Sequence, residues 1–186
     1  MTLSAVLLAG GESRRMGTDK ATMFFQGAPL WERQLGILRE LRPEKIFISA
    51  RADSSWRPAE IELLLDEPPS RGPLSGLTRA LARMETTHLV ALAVDMPFMT
   101  IEQMRLLCGL ATPDCGIVPV IGERAEPLAA IYPRESAPDF AAALAGRDFS
   151  LQGLVRKLAA ANKIQIVSVL ESDEHLYRSV NERGDF

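Results

Sequence analysis

At 186 residues the chain fits one domain over 1–186, since a single core can grow to roughly 250 residues before a protein splits. A net charge of −3, with 47% hydrophobic and 24% charged residues, argues against a nucleic-acid surface, which carries a basic excess. A nucleotide monomer held by a few local cations is still allowed. No apolar run approaches the ~20 residues that cross a bilayer, and Leu3–Ala9 lacks the basic flank of a leader, so a cytoplasmic protein with no membrane partner is expected.

Along the chain, short apolar runs alternate with amphipathic stretches. Ser4–Ala9, Lys45–Ala50, Ile61–Asp66, His88–Asp95, Gly116–Ile121, Pro127–Tyr132 and Lys163–Leu170 read as strands. The run Val90-Ala91-Leu92-Ala93-Val94 is apolar at every position, the mark of a strand covered on both faces. Leu30–Leu41, Leu74–Met84, Ile101–Leu110, Ala137–Ala145 and Leu151–Ala161 read as helices. Leu35, Leu38 and Leu41 share a face of the first, and Leu77, Leu81 and Met84 a face of the second. This alternation predicts an α/β fold, a three-layer sandwich of a mostly parallel sheet with helices on both faces. Gln26-Gly27-Ala28-Pro29 punctuates a short extended piece. Gly122-Glu123-Arg124 links two strands directly, which predicts one late antiparallel strand. Cys108 and Cys115 lie seven apart without C-x-x-C spacing and read as buried thiols, not as a disulfide or metal site.

Ligands of such sheets bind beyond the carboxyl ends of the strands, so residues just after strand ends carry the most information. The first strand runs into Leu8-Ala9-Gly10-Gly11-Glu12-Ser13-Arg14-Arg15-Met16-Gly17-Thr18-Asp19-Lys20. Gly10 and Gly11 let a base or phosphate approach the backbone, and backbone N–H groups there make an anion nest. Arg14, Arg15 and Lys20 add cationic reach toward a triphosphate. Neither G-x-G-x-x-G nor G-x-x-x-x-G-K-[ST] occurs after that strand, which disfavours a dinucleotide dehydrogenase and a P-loop ATPase. Asp95, before Met96-Pro97, offers a hard oxygen ligand of the kind Mg²⁺ takes with substrate phosphates. An aspartate there can equally cap the next turn. Asp66 and Glu67 lead into Pro68-Pro69-Ser70-Arg71-Gly72-Pro73-Leu74-Ser75-Gly76-Leu77, a rigid, small-residue wall suited to a flat ligand or to a plain helix entry.

The order of these three segments, with Val94-Asp95-Met96-Pro97-Phe98 as the third, resembles the molybdenum cofactor guanylyltransferases of the nucleotidyltransferase superfamily. The likeness is densest over 4–98 and continues through Glu126-Pro127-Leu128. It implies a Rossmann-like sheet and transfer of GMP from GTP to the terminal phosphate of molybdenum-molybdopterin, with release of pyrophosphate. Leu8, Ala9, Gly10 and Gly11 would line the nucleotide, and Arg15 and Lys20 would contact its phosphates. Asp66 and Gly72–Gly76, with Pro73 and Leu74, would lie at the ribose and guanine, and Asp95 would hold Mg²⁺. Lys20, Arg15 and Asp95 are thus the catalytic candidates.

The sequence departs from the family where an asparagine is common after the second strand, reading Ile48-Ser49-Ala50-Arg51. It has Ala125 before Glu126-Pro127, where the family often carries a polar residue. In the C-terminal segment tied to the pterin, only Asn181 and Asp185 fit, so Asn181 is the acceptor-binding candidate. A CTP-dependent molybdopterin cytidylyltransferase, or another Mg²⁺-dependent nucleotidyltransferase acting on a phosphate, is the competing reading. Proteins that deliver the cofactor and molybdoenzymes that receive it are the partners the resemblance implies.

Overall fold

The computed structural model describes residues 1–10, 20–66 and 69–180. Its strands are β1 (Leu3–Leu8), β2 (Phe24–Phe25), β3 (Ala28–Pro29), β4 (Lys45–Ala50), β5 (Glu62–Leu65), β6 (His88–Ala93), β7 (Gly116–Ile121), β8 (Arg124–Ala125), β9 (Ala129–Pro133) and β10 (Ile164–Ser168). Its helices are α1 (Leu30–Glu40), α2 (Pro73–Arg83), α3 (Ile101–Leu110), α4 (Ala137–Ala145) and α5 (Leu151–Ala160). Every predicted strand and helix is present, with ends shifted by up to two residues. The shifts fall where sequence periodicity says least: β6 ends at Ala93, although apolar residues continue into Val94.

The main sheet has the order β10-β7-β9-β6-β1-β4-β5. β1 lies between β4 and β6 and pairs with both in parallel, Leu7 facing Ile48 on one side and Leu92 on the other. β9 is the late antiparallel strand and separates β6 from β7, pairing with each. Its route is less direct than expected. Gly122, at φ 59°, turns β7 onto the two-residue β8, and the chain then passes through Glu126–Leu128 before entering β9. A second two-stranded ladder, β2 with β3, closes through Gln26 and Gly27, both at positive φ (48° and 86°). That is the pair of left-handed positions a two-residue hairpin turn needs.

Strand alternation decides which helix covers which face. Ala5, Leu7, Ile48, Val90 and Leu92 pack with Leu35 and Leu38 of α1 and with Met104 and Leu107 of α3. Val6, Leu8, Phe47, Leu89 and Ala91 pack with Leu77 and Leu81 of α2, Phe140 of α4 and Leu158 of α5. The result is the predicted three layers. Local caps sharpen the helix starts: Thr100 Oγ1 accepts from the Gln103 N–H and Ser150 Oγ from the Gly153 N–H, while Pro73 occupies the first turn of α2. Cys108 and Cys115 are free and half-buried, not fully buried as expected; Cys108 lies on a side of α3 that partly meets solvent, and Cys115 lies in the turn before β7. Burial still pushes the Cys108 thiol up to about 11, so it stays protonated at neutral pH.

Candidate active site

Backbone bonds carry the sheet past its named strands and bring five chain segments together. The Ala9 N–H donates to Ser49 O at 2.8 Å, Val94 N–H to Leu8 O at 3.0 Å, Asp66 N–H to Ala50 O at 3.0 Å, and Ala93 N–H to Leu128 O at 2.8 Å. One pocket opens above this junction, at the carboxyl ends of β1, β4, β5 and β6. Leu8, Ala9, Gly10 and Lys20 form one side of it, Asp66, Gly72 and Pro73 another, and Asp95 a third. Eight of the residues singled out from the sequence therefore line a single pocket. Gly11, Arg15 and Asn181 lie outside the described residues.

The charged pair at its mouth is Lys20 and Asp95. Lys20 begins a 3₁₀ turn, Lys20–Thr22, and its Nζ stands 3.6 Å from Asp95 Oδ2. Burial pushes the Asp95 carboxyl above the ordinary carboxylate range, and the Lys20 ammonium pulls it partly back. A carboxylate held at such desolvation cost, with one cation beside it, is prepared to meet a further positive charge.

Asp66 is buried and held on both oxygens. Ser70 Oγ donates to Oδ2 at 2.7 Å and Ser49 Oγ to Oδ1 at 3.4 Å, while the Gly72 N–H donates to Ser70 Oγ at 3.1 Å. Gly72 sits at φ 62° and ψ −139°, a conformation open to glycine alone. This turn aims the chain into α2, where the Arg71 N–H donates to Ser75 Oγ at 2.9 Å.

Two candidates stand behind the wall and not on it. The Leu74 side chain is in the core with Leu77 and Leu81. Gly76 packs under Ser49: a Cβ at Gly76 would lie 2.2 Å from Ser49 Oγ and 2.9 Å from Leu8 Cδ2. Its small size therefore lets α2 approach β1 and β4, whose ends carry the pocket.

Ser49, Ser70 and Leu128 join the site although the sequence reading assigned them no role in it. Ser49 lies next to last in β4, in the stretch where an asparagine is common in the resembling family, and that position near a strand end was the available signal. Leu128 belongs to the Glu126-Pro127-Leu128 segment of the family likeness; it arrives because β9 runs antiparallel, so the start of that strand meets the carboxyl ends of its neighbours.

A second cavity, about 700 Å³, adjoins the first and shares Asp95 and Leu128 with it. Arg124, Gln152, His175 and Arg178 line it together with Glu126, Glu171 and Glu174, so its polar lining carries both signs of charge. Its outer wall is the 3₁₀ segment Glu171–Tyr177, fixed where Gln103 Nε2 donates to Tyr177 Oη at 2.7 Å. Past that segment the Val180 N–H donates to the Asp95 carbonyl at 2.8 Å.

The donor set fits a magnesium ion that arrives with a nucleotide. Among the described residues no three His, Cys, Asp or Glu side chains gather as a complete metal cage, while Asp95 supplies one hard oxygen at the mouth, and Mg²⁺ commonly takes one or two carboxylates with substrate phosphates. On the other side of β4, Trp31 of α1 and Trp56 of the following loop stack at 5.5 Å and 22°.

The chain matches the family described as MobA-like NTP transferase domain over residues 5–164. It is 34% identical over 174 residues to a probable molybdenum cofactor guanylyltransferase of Opitutus terrae, covering 92% of this chain and 86% of that one. It is 32% identical to the protein of the same name in Mycobacterium marinum, covering 100% and 92%. Among solved structures, the fold is like that of molybdopterin-guanine dinucleotide biosynthesis protein A from Archaeoglobus fulgidus (TM-score 0.74, 22% identity, 99% and 94% covered). It is also like a nucleotidyl transferase from Methanothermobacter (TM-score 0.79, 12% identity, 99% and 94% covered). The chain belongs to the MobA-like NTP transferase family and is an enzyme of the nucleotidyltransferase type.

Proposed function

We propose that the protein transfers GMP from GTP to the terminal phosphate of molybdenum-molybdopterin, a step in molybdenum cofactor biosynthesis. One observation carries the reading: Leu8, Ala9, Gly10, Lys20, Asp66, Gly72, Pro73 and Asp95 converge on a single pocket at the strand ends. The names of the relatives point the same way. The paired glycines of the first loop and the segment Gly72-Pro73-Leu74-Ser75-Gly76 favour guanine over cytosine.

An oxygen of the acceptor phosphate attacks the α-phosphorus of GTP. A new P–O–P bond forms, the bond to the β-phosphate bridging oxygen breaks, and pyrophosphate leaves with that electron pair. The nucleophile is already anionic, so no general base is needed. Catalysis is positioning and charge neutralisation. Lys20 neutralises phosphate oxygens, Asp66 with its two serines holds the sugar side, and Gly10 keeps the backbone close to the ligand. Arg15 is assigned to the phosphates and Asn181 to the acceptor. Asp95 would hold Mg²⁺, which supplies charge stabilisation as the leaving group departs. The cavity bearing Arg124, His175 and Arg178 adjoins the pocket at Asp95, and its two arginines, set among carboxylates, are the groups there suited to the phosphate of the acceptor.

Incubation with GTP, Mg²⁺ and molybdenum-molybdopterin, followed by chromatography, tests the reaction. Guanine dinucleotide and pyrophosphate in equal amounts are expected. Equal turnover with CTP would overturn the guanine assignment, and product on a different phosphate acceptor would overturn the pterin.

A further inference from the structure

The loop that presents Asp95 has its carbonyls held in series. The Asp95 carbonyl accepts from the Val180 N–H at 2.8 Å. The Met96 carbonyl accepts from Gln34 Nε2 at 2.6 Å, and the Pro97 carbonyl from Arg33 Nε at 2.8 Å. Three consecutive backbone acceptors are thus met by donors from distant parts of the chain, two of them adjacent residues of α1.

Gln34 is the unusual member. It is fully buried (0% exposed) among apolar side chains, and its Oε1 has no hydrogen-bond partner. A core amide left half-satisfied costs stability, where an apolar side chain of the same shape does not. Nor does Met96 need it, because the Met96 carbonyl also accepts from the Met99 N–H at 3.1 Å. Stability therefore gives no reason for an amide at this position. Arg33 is held in turn, its guanidinium 5.4 Å over the Phe25 ring, which meets Phe98 edge-on at 5.1 Å. The grip on the loop is therefore part of a packed unit running from α1 through Phe25 to Phe98.

From this geometry we infer that Arg33 and Gln34 are positioning residues, which fix the backbone of 95–97 so that the Asp95 carboxylate keeps its place opposite Lys20. Neither touches a reacting group. They act through the Met96 and Pro97 carbonyls, and α1 serves as the rigid arm. The inference rests on the role proposed above for Asp95.

The test compares the full-length protein with Gln34→Met, which keeps length and apolar volume and removes the donor. Three quantities are read: Tm without ligand, hydrogen exchange at the Val180 amide, and kcat with KM for GTP. Positioning predicts that Tm is unchanged or raised, because the unsatisfied amide is gone. Exchange at Val180 becomes faster as the loop opens more often. Loss of a residue that orients a metal ligand commonly costs about 10–100-fold, so kcat falls about tenfold while KM for GTP stays within about twofold. An unchanged kcat overturns the inference, as does a fall in kcat accompanied by a lower Tm and unchanged Val180 exchange. Arg33→Gln, on a half-buried site that does not threaten the core, repeats the test if Gln34→Met fails to fold. A smaller fall in kcat with faster Val180 exchange is expected, and no change in either overturns the inference. Hydrogen exchange needs no turnover, so the positional result stands apart from the proposed reaction. Absence of any GMP transfer by the unaltered protein would overturn that reaction alone.

Discussion

The two ends of the sheet treat polar groups in opposite ways. At the amino ends of β1 and β6 the polar groups close on one another. The Thr2 N–H donates to Thr87 Oγ1 at 3.0 Å, the Thr87 N–H to Thr2 Oγ1 at 3.1 Å, and Thr86 Oγ1 to Ser4 Oγ at 2.8 Å. His88 joins through Nδ1, 3.0 Å from Thr87 Oγ1. At the carboxyl ends, Lys20 and Asp95 face a pocket and Asp66 is braced toward it. One end ties its hydroxyl and backbone groups to one another and the other leaves charge facing a pocket. Parallel strands place every carboxyl end on one side, so the division follows from topology before any side chain is chosen.

The contrast can be broken most forcefully at Asp95. Asp95→Asn should lower GMP transfer on the order of 10²–10³-fold, the loss seen when one charge-stabilising group is removed. The same change should leave Tm level or raised in metal-free protein at neutral pH. The sign follows from linkage. The folded carboxyl titrates above its unfolded value of 3.8, so the native state binds more protons in that window and stability falls as pH rises through it. Near pH 7 the ionised form is a net burden that the asparagine lacks. Retained turnover, or a Tm several degrees lower, would break the idea that this end gives up stability for function.

A Gly76→Val change tests whether the tight approach of α2 supports the pocket from behind. Overpacking typically costs about 1–3 kcal/mol, and its Cβ would meet both Ser49 and Leu8. Adding Ser49→Ala should return part of the loss in a double-mutant cycle measured by urea denaturation. Strict additivity would separate the two residues. Next in size is nucleotide linkage: GTP with Mg²⁺ at about 100 times Kd should add about 2.7 kcal/mol to stability, read as a rise in Tm that CTP and ATP do not match. The smallest effect belongs to the closed end. Burial pushes the His88 imidazole below its ordinary value of 6.5, so the unfolded chain binds the proton more readily. Stability is then full above that value and declines as pH falls below it. A plot of Tm against pH from 7.5 to 5 should bend downward, and His88→Gln should flatten it.

Much of the layout was legible because helix and strand periods are local. The strand-end rule then told where to look, and Lys20, Asp66 and Asp95 lie where their positions after β1, β5 and β6 implied. Leu74 shows where a motif outweighed a pattern. It shares the spacing of Leu77 and Leu81, which marks it as core, yet its place in the glycine-proline segment suggested the wall. Gln34 had no such signal. A glutamine inside the apolar stripe of α1 reads as a polar interruption, and only the bond to Met96, 62 residues away, gives it a purpose. The Val180 contact is made by a backbone N–H, which any residue except proline supplies, so no side-chain pattern could reveal it.

The stack of Trp31 on Trp56 makes the protein its own optical gauge. These are the only two tryptophans in the sequence, and their rings lie 5.5 Å apart at 22°. All indole absorption and emission thus originates at one contact, between the first turn of α1 and the loop that leaves β4. Two transition dipoles this close couple, so near-ultraviolet circular dichroism reports whether the contact is closed. Any ligand that moves the end of β4 relative to α1 should write its binding curve into that band without a label.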